Sequence, residues 1–273
     1  MSTTGRTTDL PPSSGSWKPF LAYVLPFVVF AVLTTVESME SLAAWFPMLT
    51  YPGGWYPAVY VVKLIVLIIV LTWSWKYYPP MIPPGLNMSK GAVITGLGWG
   101  LLYGLLGGVL WIILCTWNLE KDVLPPLLEK LGDWLNLPSM KEWLKPGSRV
   151  GYEPYKYLTE DYANHFVRFR LIGLVLLVPL LEELFWRGFL NRIIVDENWQ
   201  SVPWGRMTAM SFVILTAAFV LVHTEWTAAL VWVVGMHWLY VKTKSLWACV
   251  VAHAASNAVL GYYILAYGQW QLW

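Results

Sequence analysis

The fold class this sequence predicts is an all-α, polytopic transmembrane helical bundle. Three observations predict it. Of the 273 residues, 57% are hydrophobic and 12% charged, with a mean hydropathy of +0.53. A soluble domain carries about 25% charged residues, so there is too little charge here to clothe a water-facing surface. Apolar stretches of roughly the 20 residues needed to cross a hydrocarbon core recur along the chain. The 19 Trp and 15 Tyr gather near the ends of those stretches, where a ring can be half in lipid and half in water. Lipid offers no partner to an unpaired backbone group, so the spans are expected to be helices. The net charge of +2 gives no argument for nucleic acid; the partner the composition implies is the lipid bilayer.

In chain order, residues 1–18 are rich in Ser, Thr, Pro and Gly and read as a disordered tail. The apolar run that follows lacks a small-residue cleavage site and is long for a signal-peptide core, so it reads as a retained anchor. Seven spans are expected, at 19–36, 56–75, 91–117, 167–190, 207–222, 227–241 and 246–267. The first three occupy 19–117. A long third loop, 118–166, alternates apolar and charged residues and reads as one or two amphipathic helices on the membrane surface, or as a plain connecting domain. An eighth span or a re-entrant segment there would change the count. The bundle 167–273 carries the chemistry. In the third span Gly96, Gly100, Gly104 and Gly108 fall on one face and permit close helix packing. Cys115 and Cys249 both sit in apolar runs and read as buried small hydrophobes rather than a disulfide.

Loop charges orient the chain. Arg6 and Lys18, Lys76 and Lys90, Arg192 and Arg206, and Lys242 and Lys244 mark the tail and alternate loops. The first loop, the fifth loop and the C-terminal tail have neither Lys nor Arg. Seven spans with a cytoplasmic N-terminus, in a bacterial inner membrane, fit this alternation.

Ionisable groups inside a membrane are costly, and each asks for a reason. The last four spans hold a concentrated set: Glu182, Glu183 and Arg187; then Phe219 and His223; then His253 and Asn257. Residues four apart share a helix face. Glu183 can therefore pair with Arg187, Phe219 can wall His223, and His253 lies beside Asn257. Glu182 is rotated about 100° from Glu183 and faces a different wall, uncommitted. Pro179 bends the helix just before it. If the fourth and fifth helices turn near Ser201, Glu182 and His223 reach similar depths. Singly, each residue has an ordinary structural explanation, a solvated helix end or an interfacial histidine. His165 and His237 keep that explanation, and Lys63 snorkels or pairs locally.

Such a set supports hydrolysis. A carboxylate in a dry site can act as general base on water. A histidine can orient that water, and a His–Asn pair can donate to a developing oxyanion. Zinc is the competing reading, with Glu182, His223 and His253 as ligands, although the His-Glu-x-x-His signature is absent.

The three motifs, in this order, resemble the CPBP family of CAAX prenyl proteases and bacteriocin-processing enzymes, also called Abi. Its pattern is Glu-Glu-x-x-x-Arg, Phe-x-x-x-His and His-x-x-x-Asn or Asp. These stand here as Glu182-Glu183…Arg187, Phe219…His223 and His253…Asn257, within about 167–260. The resemblance implies an α-helical intramembrane endopeptidase acting on a membrane-associated peptide or protein, prenylated or bearing a sorting signal. It implies Glu182 as the water-activating base beside His223, with His253 and Asn257 as the oxyanion hole, and Glu183, Arg187 and Phe219 in support. The stretch Glu182–Arg187 also resembles a bacterial branch associated with exosortase sorting systems. From other classes, a non-catalytic membrane scaffold or immunity protein is one alternative. A proton-coupled transporter with a carboxylate–histidine relay is another, though no internal repeat of the transporter kind is present.

The loop charges generate a test. With Cys115 and Cys249 removed, a cysteine placed at 224–226 is expected to react with an impermeant label on intact cells, and one in the Arg192–Arg206 connection is expected not to. The reverse labelling pattern inverts the orientation.

Overall fold

A computed structural model describes residues 17–47, 54–79, 90–117, 124–136 and 151–273. Most of the expected N-terminal tail and the remainder of the third loop lie outside them. Among the described residues every regular element is helical. Helix α1 is Lys18–Glu37, α2 Trp55–Ser74, α3 Lys90–Thr116 and α4 Leu124–Trp134. A composite helix, α5, runs over residues 160–195, followed by α6 Ala209–Leu221, α7 Trp226–Thr243 and α8 Leu246–Tyr267. Helices thus occupy all seven predicted stretches. Four of them, Lys18–Glu37, Trp55–Tyr77, Val93–Thr116 and Leu246–Tyr267, are long and apolar enough to cross a membrane. At 13 residues, α6 rises only about 20 Å, short of a full hydrocarbon core.

Helix α5 departs from the expected simple span in two ways. It begins at Glu160 rather than 167, because hydropathy registers transfer to lipid and is blind to a polar first turn. That turn carries Glu160 and Asp161, where negative charge complements the helix dipole. It is also interrupted by two π-helical stretches, Gly173–Leu177 and Leu184–Leu190, the first of them ending two residues before Pro179. Around it, α1 and α2 pack on one side and α8 on another, while its last turns meet α6.

The connection from α5 to α6 is built on Arg192, which is buried. Its guanidinium donates to the carbonyls of Gln200 at 2.9 Å and Val202 at 3.0 Å and lies over the Trp204 ring at 4.2 Å. Asn191 Nδ2 donates to Arg206 O at 2.8 Å. Thr208 and Ser211 then form a capping box that starts α6, satisfying amides the helix leaves open.

Lys63 does not snorkel. It is buried and donates to Glu37, across from α2 to the end of α1. The partner comes from another helix, not from the local sequence. Thr34 Oγ1 also accepts from it, at 3.3 Å.

The third span earns its glycines by contact. Helix α3 lies along α8. A Cβ at Gly100 would overlap the Ala248 carbonyl, and one at Gly104 the Ala252 carbonyl; Gly108 meets Ser256 in the same row. At Gly96 a Cβ would meet only Thr243, at an ordinary 3.9 Å. Gly104→Val is therefore expected to lower the thermal stability of the purified protein by about 1–3 kcal/mol through overpacking, while Gly96→Ala leaves the melting temperature unchanged. Equal effects at the two positions would remove α3–α8 contact as the reason for the spacing.

Candidate active site

The first motif lies where α5 passes from its α-helical stretch Val178–Glu183 into the π-helical stretch Leu184–Leu190. Glu182, Glu183 and Arg187 are all buried. Glu183 and Arg187 form the ion pair their spacing predicts, Nη1 donating to Oε1 at 3.0 Å. His253, on α8, reaches the same oxygen, its Nδ1 lying 3.0 Å from Glu183 Oε1. Sequence spacing assigned Glu183 to Arg187 alone; the shared use by a helix 70 residues later is visible only in three dimensions.

This contact sets the histidine's tautomer. A carboxylate accepts, so Nδ1 carries the hydrogen. Nε2 is then a lone pair in the neutral ring and a donor only in the imidazolium, whose charge Glu183 faces. The edge of the ring is held by Trp232, centroid to centroid 6.0 Å.

Glu182 stands apart, as its rotation along the helix predicts. Its Oε2 is buried and meets no hydrogen-bond donor, as is also true of Glu183 Oε2; the Trp186 indole lies beside its carboxyl, and His253, Glu183 and Arg187 are within electrostatic range.

His223 lies just past the C-cap of α6 at Val222 and is half-buried. Its Nδ1 donates back to Phe219 O at 2.7 Å, which leaves Nε2 as the basic nitrogen. Its ring stacks on Phe219 at 4.2 Å, and Trp111 of α3 meets it at 5.8 Å. Phe219 in turn packs edge-on to Trp186 at 5.8 Å and under the Arg187 guanidinium at 5.9 Å. The wall expected of Phe219 is therefore also the bridge from the second motif to the first.

Asn257, one turn beyond His253, donates from Nδ2 to the carbonyl of Leu174 at 2.8 Å. An amide has two N–H donors, and this bond occupies one.

Among the described residues no three His, Cys, Asp or Glu side chains converge as a metal site. Glu182, His223 and His253 are therefore not gathered around one point, although each histidine gives its Nδ1 to a protein oxygen and keeps Nε2, an orientation that suits a metal ligand as well as a metal-free role. His165 is exposed and bonded to its own helix at Asp161 O, in keeping with an interfacial role. His237 is buried in α7 and meets Thr216 Oγ1 of α6 at 3.2 Å, a structural role whose partner lies on another helix. Trp111, Trp232 and Leu174 were missed by the sequence reading. Aromatic and apolar residues inside apolar helices give no signal of their own.

Residues 164–259 match the family described as type II CAAX prenyl endopeptidase Rce1-like, a stretch that contains all three motifs. No curated protein and no solved structure matches the chain.

Breaking a buried ion pair strands a charge at about 3–5 kcal/mol. Arg187→Ala is expected to lower thermal stability by an amount in that range, and Glu183→Gln with Arg187→Gln together to recover part of it. A double-mutant cycle with additive losses would argue against the pair.

Proposed function

We propose that this chain, whose site-bearing segment belongs to the CAAX prenyl endopeptidase family, is an intramembrane endopeptidase. It hydrolyses a peptide bond of a membrane-associated substrate with water activated by Glu182. The observation that carries this reading is the unequal treatment of two adjacent carboxylates. Glu183 is matched by Arg187 and orients His253. Both carboxylates keep a buried Oε2 without a donor, but among the described residues Glu182 forms no ion pair and has only the Trp186 indole as its side-chain neighbour for hydrogen bonding.

The proposed steps take His223 as the neighbour of Glu182 that its motif implies. Glu182 takes a proton from water as the oxygen attacks the scissile carbonyl, with His223 Nε2 accepting a hydrogen bond from the same water. The developing oxyanion is met by His253 as the imidazolium, through Nε2–H, and by the second N–H of Asn257. Such donors act strongly in a site where water is scarce. Glu182 then returns the proton to the leaving amine. Glu183, Arg187 and Phe219 support this set without touching the reacting atoms. A prenylated or sorting-signal peptide is the substrate class in view, and the setting proposed is a bacterial inner membrane, with the cytoplasmic N-terminus that the loop charges favour. The amphipathic α4, with Leu127, Leu131 and Trp134 exposed, fits a helix lying on the membrane surface.

Glu182→Gln keeps the shape and removes the base. It is expected to reduce hydrolysis of a prenylated reporter peptide by at least about 100-fold, the scale of general-base catalysis, with insertion and monodispersity retained. Near-normal turnover by the variant sinks the assignment.

A further inference from the structure

Pro179 lies one turn before Glu182, and the backbone around it has a specific defect. In the π-helical stretch Gly173–Leu177 the hydrogen bonds span five residues: the Val178 amide donates to Gly173 O. The next bond in that register runs from residue 179 to the carbonyl of Leu174. Residue 179 is proline and has no N–H to give. The widened turn also relieves the clash of the proline ring with the preceding carbonyls, which accounts for a π-helical turn at this place. Leu174 O is thus left open by the helix that contains it. An open carbonyl in a dry bundle is costly, and the group that fills it is the side chain of Asn257, at 2.8 Å.

Resting on the reading of Asn257 as an oxyanion donor, we propose that Pro179 is a positioning residue. By withholding its amide hydrogen it reserves the Leu174 carbonyl for Asn257. That bond fixes the plane of the Asn257 amide and so the direction of its second N–H. Helix α8 is then tied to α5 at two levels, Leu174 through Asn257 and Glu183 through His253. The two proposed oxyanion donors are held against the same helix that carries Glu182. Glycine or proline chemistry elsewhere would bend a helix; at this register the missing hydrogen also sets a side chain.

Pro179→Ala restores the amide hydrogen and lets residue 179 compete for Leu174 O. The expected result is a kcat lower by about 10- to 100-fold, short of full loss of an oxyanion donor, with KM changed by less than about twofold since ground-state binding is untouched. Added to Asn257→Ala, Pro179→Ala should cause no further loss of kcat. A second readout is independent of activity. Asn257→Ala leaves the Leu174 carbonyl unpaired and should lower the melting temperature, and Pro179→Ala in that background should raise it again. If Pro179→Ala alone does not yield monodisperse protein, Asn257→Leu carries the test, with a lowered melting temperature expected. Additive stability effects, an unchanged melting temperature in Asn257→Leu, or a kcat within twofold of the parent in Pro179→Ala would each overturn the proposal. If the parent hydrolyses no peptide, the endopeptidase reading fails while the stability cycle still decides whether Pro179 governs the Leu174–Asn257 bond.

Discussion

A carboxylate buried inside an apolar bundle has to find its partners on neighbouring helices, and Glu183 finds two. Arg187 comes from its own helix one turn later, and His253 comes from α8. In a low-dielectric interior neither charge can be left alone without a cost of several kcal/mol. The registry of α5 against α8 is therefore set by this oxygen. The position of Glu182 follows, since it is the adjacent residue on a helix whose rotation is already decided. The position of Asn257 follows too, one turn along α8, where it meets the carbonyl of Leu174.

The rest of the bundle serves that registry. Helix α3 can lie along α8 only because Gly100, Gly104 and Gly108 offer no side chain to the carbonyls and small residues facing them. The close approach brings Trp111 against His223 and Tyr103, whose hydroxyl donates to Trp232 O at 3.1 Å, against the helix whose tryptophan edges His253. Aromatic rings thus surround both histidines and limit the ways each can turn. On the other side, α1 supplies Ala22 and Tyr23 and α2 supplies Leu67 and Leu71 to the core around Leu181 and Leu184. Phe27 of α1 stacks on Phe185 at 4.0 Å. Those contacts hold the first motif from behind.

Much of this was legible before any fold was known. The i, i+4 spacing of Glu183 and Arg187 is a property of helix geometry, and the pair forms. The offset of Glu182 from that face is equally local. The glycine row announced a helix–helix contact without saying with which helix. Where sequence reasoning fell short, the missing quantity was always a partner at long range. Lys63 has Glu37, 26 residues away, and His237 has Thr216, 21 residues away; hydropathy and periodicity cannot see either. The start of α5 at Glu160 was missed for a different reason, since a polar first turn and a polar loop look alike to a transfer scale.

By itself the sequence determined that the chain is helical and apolar enough for lipid, which helix faces carry acids, histidines and glycines, and which residues four apart can meet. These follow from composition and from a rise and rotation common to all α-helices. Only the tertiary structure decided which of two adjacent glutamates His253 would face, which ring nitrogen each histidine would keep, and that Asn257 would be bound to a backbone carbonyl. Those outcomes depend on how two helices are turned against each other. That rotation is set by side chains and by an irregular π-helical backbone, and no single-helix periodicity contains it.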